Sequence, residues 1–275
     1  MARKLTFALQ KGGVGKTTST VVTAEILGNI GYRVLVADFD PQGNATKMLA
    51  NRSIYDFSGR TIMEAIQTGS VYGFIENLSE NVSLIPAEDR LATFSRYIYT
   101  NRIDRPYSVL SRILSNVDAE FDFILIDVGP SLGDEMMNAI SCVDDVIIPV
   151  DLGDLAMEAM TRFISFIDSA RDRGYSHAAV AGILLTMRDA RSRYEREISE
   201  GIRAVYGDLV FETEIRRRTK IKEISANGVD LSDRTMIDYV EFVAEYLKRL
   251  EDGNHDREKH ERGGTTKGTA HDPTD

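Results

Sequence analysis

A glycine-rich stretch, QKGGVGKTT at residues 10–18, directly follows an apolar run at residues 5–9. Apolar run, glycine loop and helix-forming residues, in that order, describe a buried strand that turns through a phosphate-binding loop into a helix. That unit constrains the rest of the chain to α/β architecture. Gly12, Gly13 and Gly15 let backbone N–H groups converge on phosphate oxygens with no Cβ in the way. A helix opening at Lys16 or Thr17 points the positive end of its dipole at the same anion. Lys16 stands where P-loops place the lysine that reaches β- and γ-phosphates, and Thr17 where they place a hydroxyl on Mg²⁺. Gln10 occupies the position of the usual first glycine, and Lys11 adds a second lysine, so the loop is a variant.

Near-continuous Val/Ile/Leu runs predict strands at residues 5–9, 33–38, 82–86, 121–127, 146–150, 180–187 and 209–215, with helical stretches between them. The expected fold is a mostly parallel β-sheet with helices on both faces, formed as a single domain by residues 1–250. Residues 251–275 are polar and predict a disordered tail, and its His255, His260 and His271 lack the compact spacing of a metal site. A net charge of −10 excludes a uniformly basic nucleic-acid coat, so any DNA contact has to be a local patch. Cys142 is the sole cysteine, which excludes an internal disulfide and reads as a small core residue. Neither a signal-peptide core nor an 18-residue apolar span is present, which gives a cytoplasmic expectation and no membrane partner.

KGGVGKTT resembles the deviant Walker A loop of the ParA/MinD group of P-loop ATPases, whose first lysine is a signature residue. The resemblance covers roughly residues 3–250 and implies the P-loop NTPase fold with ATP and Mg²⁺ as ligands. Gly12, Gly13, Val14, Gly15, Lys16, Thr17 and Thr18 would cradle the nucleotide. It also implies slow intrinsic ATP hydrolysis and an ATP-dependent homodimer, in which Lys11 reaches the nucleotide of the other subunit. DFDPQGNAT at residues 38–46 ends the second expected strand, where functional groups of open α/β sheets gather, although Asp40, Pro41 and Gly43 would also make a plain turn. This segment resembles the family's switch I, which implies that Asp40 orients or deprotonates the attacking water, with Asn44 close by. FDFILIDVGPSLG at residues 121–133 has the form of a Walker B strand, in which Asp127 holds Mg²⁺ through water. Gly129 replaces the first of two prolines in the family pattern, a departure expected to loosen this turn.

Residues 180–191 resemble the family's GVLLTMxDAR segment, which partition ATPases carry and the MinD branch generally does not. RRRTKIK at residues 216–222 places five cations in seven positions of an acidic chain. Such a run is either a solvated face or a phosphate-binding patch formed by Arg216, Arg217, Arg218, Lys220 and Lys222. Partition ATPases hold nonspecific DNA-binding residues in this region, but with a proline where Arg216 stands and an asparagine where Arg218 stands. The closing helix, expected at residues 237–250 with Ile237, Val240, Val243, Tyr246, Leu247 and Leu250 as its apolar stripe, carries Asp238, Glu241 and Glu245 and matches anionic lipid poorly. The resemblance therefore implies a short, Soj-like, nucleoid-associated partition ATPase that binds nonspecific double-stranded DNA and is stimulated by a ParB-type protein. A MinD-like membrane ATPase and a ParA-like ATPase that positions another cargo are the alternatives.

Overall fold

The computed structural model describes residues 1–153, 155–189, 191–218, 224 and 228–263, with side chains described as far as residue 253. Every expected strand is present: β1 (Arg3–Phe7), β2 (Val34–Phe39), β4 (Val82–Ile85), β5 (Phe123–Val128), β6 (Asp145–Asp151), β7 (Ala179–Arg188) and β8 (Val210–Arg216). Between β2 and β4 lies an unanticipated strand, β3 (Glu76–Asn77), whose two residues are too few to carry a periodic signal. The sheet order is β3-β4-β2-β5-β1-β6-β7-β8. Among the described residues only the β3–β4 pair is antiparallel, and every other pairing is parallel. Consequently the loops after β1, β2 and β5 leave neighbouring strands at the same edge of the sheet.

The helices are α1 (Lys16–Asn29), α2 (Asn44–Ala50), α3 (Ile62–Thr68), α4 (Phe94–Thr100), α5 (Val109–Leu114), α6 (Asp134–Cys142), α7 (Ala156–Asp172), α8 (Arg193–Tyr206) and α9 (Ile237–Gly263). Strand alternation divides the apolar side chains between two faces. Phe123 and Leu125 of β5 pack with Val21, Val22 and Leu27 of α1 and with α9, whereas Ile124 and Ile126 face α3, α5, α6 and α7. Cys142 is buried among that second set, and burial pushes its thiol up to about 12, in keeping with a core role.

The structure corrects the first turn of the expected apolar stripe of α9 and keeps the rest, with Val243 and Tyr246 buried and Leu247 and Leu250 packed against the same core. Tyr239, Phe242, Val243 and Tyr246 form its buried face, while Ile237 and Val240 remain 44% and 41% exposed. The aromatic side chains bury more area than Ile237 and Val240 would, so they set the rotation of the helix. Tyr246 donates to Asp145 Oδ2 at 2.6 Å, and Arg3 donates to both oxygens of the same carboxylate, which pins α9 to the start of β6. The helix also runs to Gly263, past its expected end at Leu250, because residues 251–262 are mostly charged, helix-tolerant residues with no proline. Residues 264–275, including His271, and the side chains of His255 and His260 lie outside the described residues. Tyr72 is exposed, and its hydroxyl donates to Glu120 and to the Asn116 carbonyl.

Candidate nucleotide site

Two left-handed glycines shape the loop after β1. Gly13 has φ +75° and Gly15 φ +89°, conformations that suit a residue without Cβ, and Gly15 caps the N-terminus of α1. Lys16 is nearly buried, and its ammonium donates to the Lys11 carbonyl at 2.8 Å, closing the loop on itself. Burial lowers the Lys16 pKa, and the Asp127 and Asp40 carboxylates oppose that shift. Val14 differs from its loop neighbours: its side chain is in the core and its carbonyl accepts from Thr186 Oγ1 at 2.9 Å, so it contributes backbone only. A cleft of about 350 Å³ lies over the loop, lined by Gly12, Gly13, Gly15, Lys16, Thr17 and Thr18 together with Asp40, Asn44, Pro130 and Met187.

Register brings the acidic residues to this cleft. Asp38 and Asp127 are direct partners across β2 and β5, and both are fully buried. Asp127 Oδ1 accepts from Thr20 at 3.3 Å, while Oδ2 has no hydrogen-bond partner. Burial and then the Asp38 charge push Asp127 well above the usual carboxylate range, with the nearby Thr17 hydroxyl and the charge of Lys16 pulling the other way. Asp38, which the sequence reading passed over, accepts from the Thr46 amide at 2.8 Å and from the Thr46 hydroxyl at 2.7 Å, so it ties the turn after β2 to the start of α2. Burial raises it to about 6 although those hydrogen bonds pull the other way. Its signal was the carboxylate two residues before Asp40 at a strand end, which a one-residue reading of the turn hides. Asp40 is 9% exposed, accepts from the Gln42 amide at 3.0 Å and donates its own amide to Asp38 at 3.2 Å. Gly129 lies against it: a Cβ on Gly129 would stand 3.2 Å from Asp40 Oδ2.

The other predicted cations lie beside the cleft, at the ends of β6, β7 and β8. Lys11 Nζ is 3.9 Å from Asp151 Oδ2 at the end of β6. Arg216 pairs with the buried carboxylate of Asp238, and Arg218 Nε stands 3.7 Å from the same group. Arg217 donates from Nε to the Met187 carbonyl at 3.2 Å, with Nη2 3.8 Å from Asp151 Oδ1. A second cleft, also about 350 Å³, is lined by Arg188, Asp189, Arg191, Arg216, Arg217 and Arg218. Lys220 and Lys222 lie outside the described residues.

A family model described as an AAA domain matches residues 2–179. The chromosome-partitioning ATPase Soj of Treponema pallidum is 32% identical over 237 residues, covering 84% of this chain and 90% of the relative.

The chain belongs to the ParA/Soj family of P-loop ATPases.

Solved structures agree with this assignment. A cobyrinic acid a,c-diamide synthase from Mycobacterium smegmatis with bound ATP analog and magnesium superposes with TM-score 0.80 at 29% identity, over 92% of this chain and 97% of the other. A putative plasmid partition protein from Borrelia burgdorferi bound to AMPPNP gives 0.77 at 26% identity, over 92% of this chain and 100% of the other. Within this ParA/Soj-family chain, residues 12–18 of the loop, Asp40 and Asp127 are brought together in space, while Lys11 keeps its carbonyl on Lys16 and turns its ammonium toward Asp151.

Proposed function

We propose that this chain is a DNA-partition ATPase whose nucleotide state controls an ATP-dependent homodimer and its grip on nonspecific double-stranded DNA. The observation that carries the reading is the adjacency of two sites: the P-loop cleft with its acidic residues and, beside it, an arginine-lined cleft in a chain of net charge −10. The resemblance of the chain to Soj supports the same conclusion.

ATP would lie with its phosphates over Gly12 to Thr18 and Lys16. The Thr17 hydroxyl and the unpartnered, buried Asp127 Oδ2 suit a hydrated Mg²⁺, whose charge would stabilise the transferring phosphoryl group. Displacing the Lys16 ammonium from the Lys11 carbonyl would free it for phosphate. Asp40 would position the attacking water from the turn after β2. Lys11, a third exposed and held only by a long ion pair, is free to cross to a second copy's nucleotide. Such a dimer doubles the number of cations offered to one duplex by Arg216, Arg217, Arg218, Lys220 and Lys222, and phosphate-driven affinity climbs steeply with that number. Intrinsic turnover would be slow and a ParB-type protein would accelerate it. No described helix is long and apolar enough to cross a membrane, and a cytoplasmic, nucleoid-associated protein follows from the DNA reading.

The test is binding to nonspecific duplex DNA with ATP, with ADP and without nucleotide at two salt concentrations. ATP-dependent binding is expected, and about six phosphate contacts would lose about 10³-fold in affinity between about 50 and 200 mM salt. Absence of binding in every condition would overturn the DNA reading and leave the arginines as a solvated face.

A further inference from the structure

We infer that Arg217 is a positioning residue of the nucleotide site, and that it joins this site mechanically to the arginine-lined cleft. Met187 is the residue through which Arg217 acts. Its side chain lines the nucleotide cleft, with its methyl carbon 3.6 Å from where a Cβ on Gly15 would sit. Its backbone is left-handed, φ +56°, at a residue with no local side-chain hydrogen bond to favour that conformation. A strained residue of this kind keeps its conformation only when its surroundings fix it from several sides.

Three contacts do so. On one side Thr186 donates to the Val14 carbonyl of the phosphate loop at 2.9 Å. On the other, Arg217 takes two consecutive carbonyls of β7: its amide donates to Arg188 O at 2.9 Å and its Nε to Met187 O at 3.2 Å. The outer edge of the same guanidinium faces Asp151, whose other oxygen faces Lys11. Arg217 thus braces the wall of the nucleotide cleft and shares a carboxylate with the signature lysine, while its exposed surface belongs to the arginine cleft. A planar guanidinium serves both contacts at once, whereas a lysine ammonium has to choose between the Met187 carbonyl and Asp151.

This inference rests on reading the P-loop cleft as the nucleotide site, and it needs no DNA to test. The affinity of the full chain for a fluorescent ATP analogue with Mg²⁺ is measured for the wild type, Arg217→Ala, Arg217→Lys and Arg191→Ala. Arg191 lines the same arginine cleft and, among the described residues, forms no hydrogen bond or ion pair with Met187 or Asp151, so its removal controls for the loss of one positive charge near a polyanion. Arg217→Ala is expected to weaken nucleotide binding by roughly 5- to 10-fold, the low end of ordinary coupling between sites, and to raise KM for ATP more than it lowers kcat. Arg217→Lys should fall between Arg217→Ala and the wild type although it keeps the charge, and Arg191→Ala should bind as the wild type does. If the wild type binds no ATP analogue, the reading of the site fails. If the wild type binds and both Arg217 variants match it, or Arg191→Ala loses as much as Arg217→Ala, the inference alone is overturned. Arg217→Lys keeps the comparison informative should the alanine variant fail to fold.

Discussion

Gly129 shows how one missing Cβ makes room for a neighbouring carboxylate. The family pattern has proline there, and its replacement suggested a loosened turn. The structure shows a close approach instead, with the Asp40 carboxylate packed against the backbone where a Cβ would stand 3.2 Å from Oδ2 and 3.3 Å from Cγ. Gly129→Ala should therefore displace Asp40 by a few tenths of an ångström and lower kcat several-fold with KM for ATP unchanged, since about 1 Å of misplacement costs on the order of 10²-fold. Gly133→Ala supplies the comparison: its Cβ would meet the movable end of Glu135, so turnover should hold at the wild-type rate. Asp40→Ala should stop hydrolysis while ATP still binds, read as nucleotide retained on the protein after filtration. Normal turnover in that variant would remove Asp40 from the chemistry. These residues were legible as an acidic turn, but the contact between positions 40 and 129 was not, because it joins the ends of two strands far apart in the chain.

The ion pair between β8 and α9 decides how the closing helix is held. Burial by itself would raise Asp238, yet hydrogen bonds from the Arg216 side chain and amide, with the nearby Arg218 charge, keep it below the ordinary 3.8. The sign follows: a lowered carboxylate contributes stability that is complete above its unfolded pKa and is lost as pH falls through the lower folded value. Arg216→Ala leaves the Asp238 carboxylate buried with weaker partners and should cost about 3 kcal/mol at neutral pH. It should also flatten the fall in stability below about pH 4, measured as the shift in denaturant midpoint between pH 7 and pH 3. An unaltered acid limb would show that this pair does not govern it. Periodicity found the helix and the later part of its stripe, Val243, Tyr246, Leu247 and Leu250, but misplaced its first turn, where Ile237 and Val240 stay exposed and Tyr239 and Phe242 are buried instead. The hydrogen bond of Tyr246 to Asp145 and the pair of Arg216 with Asp238 hold the helix in the observed rotation.

At the scale of the molecule, sheet order does the work that no single element does. With β5 between β2 and β1, and β6, β7 and β8 following on the other side, the loops carrying Asp40, Asp127, Lys16, Asp151, Met187 and Arg217 open along one edge. Lys11 sits on that edge against Asp151, outside the cleft its own chain forms. Lys11→Ala should therefore bind ATP with near wild-type affinity and fail to form the ATP-dependent dimer, as followed by light scattering with and without nucleotide. A variant that dimerises normally would place the function of Lys11 within its own subunit. The sequence by itself determined seven of the strands, the glycine loop and the family resemblance, because each depends on residues adjacent in the chain: apolar runs, the glycine spacing, a carboxylate at a strand end. Tertiary structure alone decided that Asp38 lies beside Asp127, that Gly129 makes room for Asp40, and that Arg217 braces Met187. Each of those contacts joins segments that only the order and register of parallel strands bring together, and neither order nor register is encoded in any local stretch of the chain.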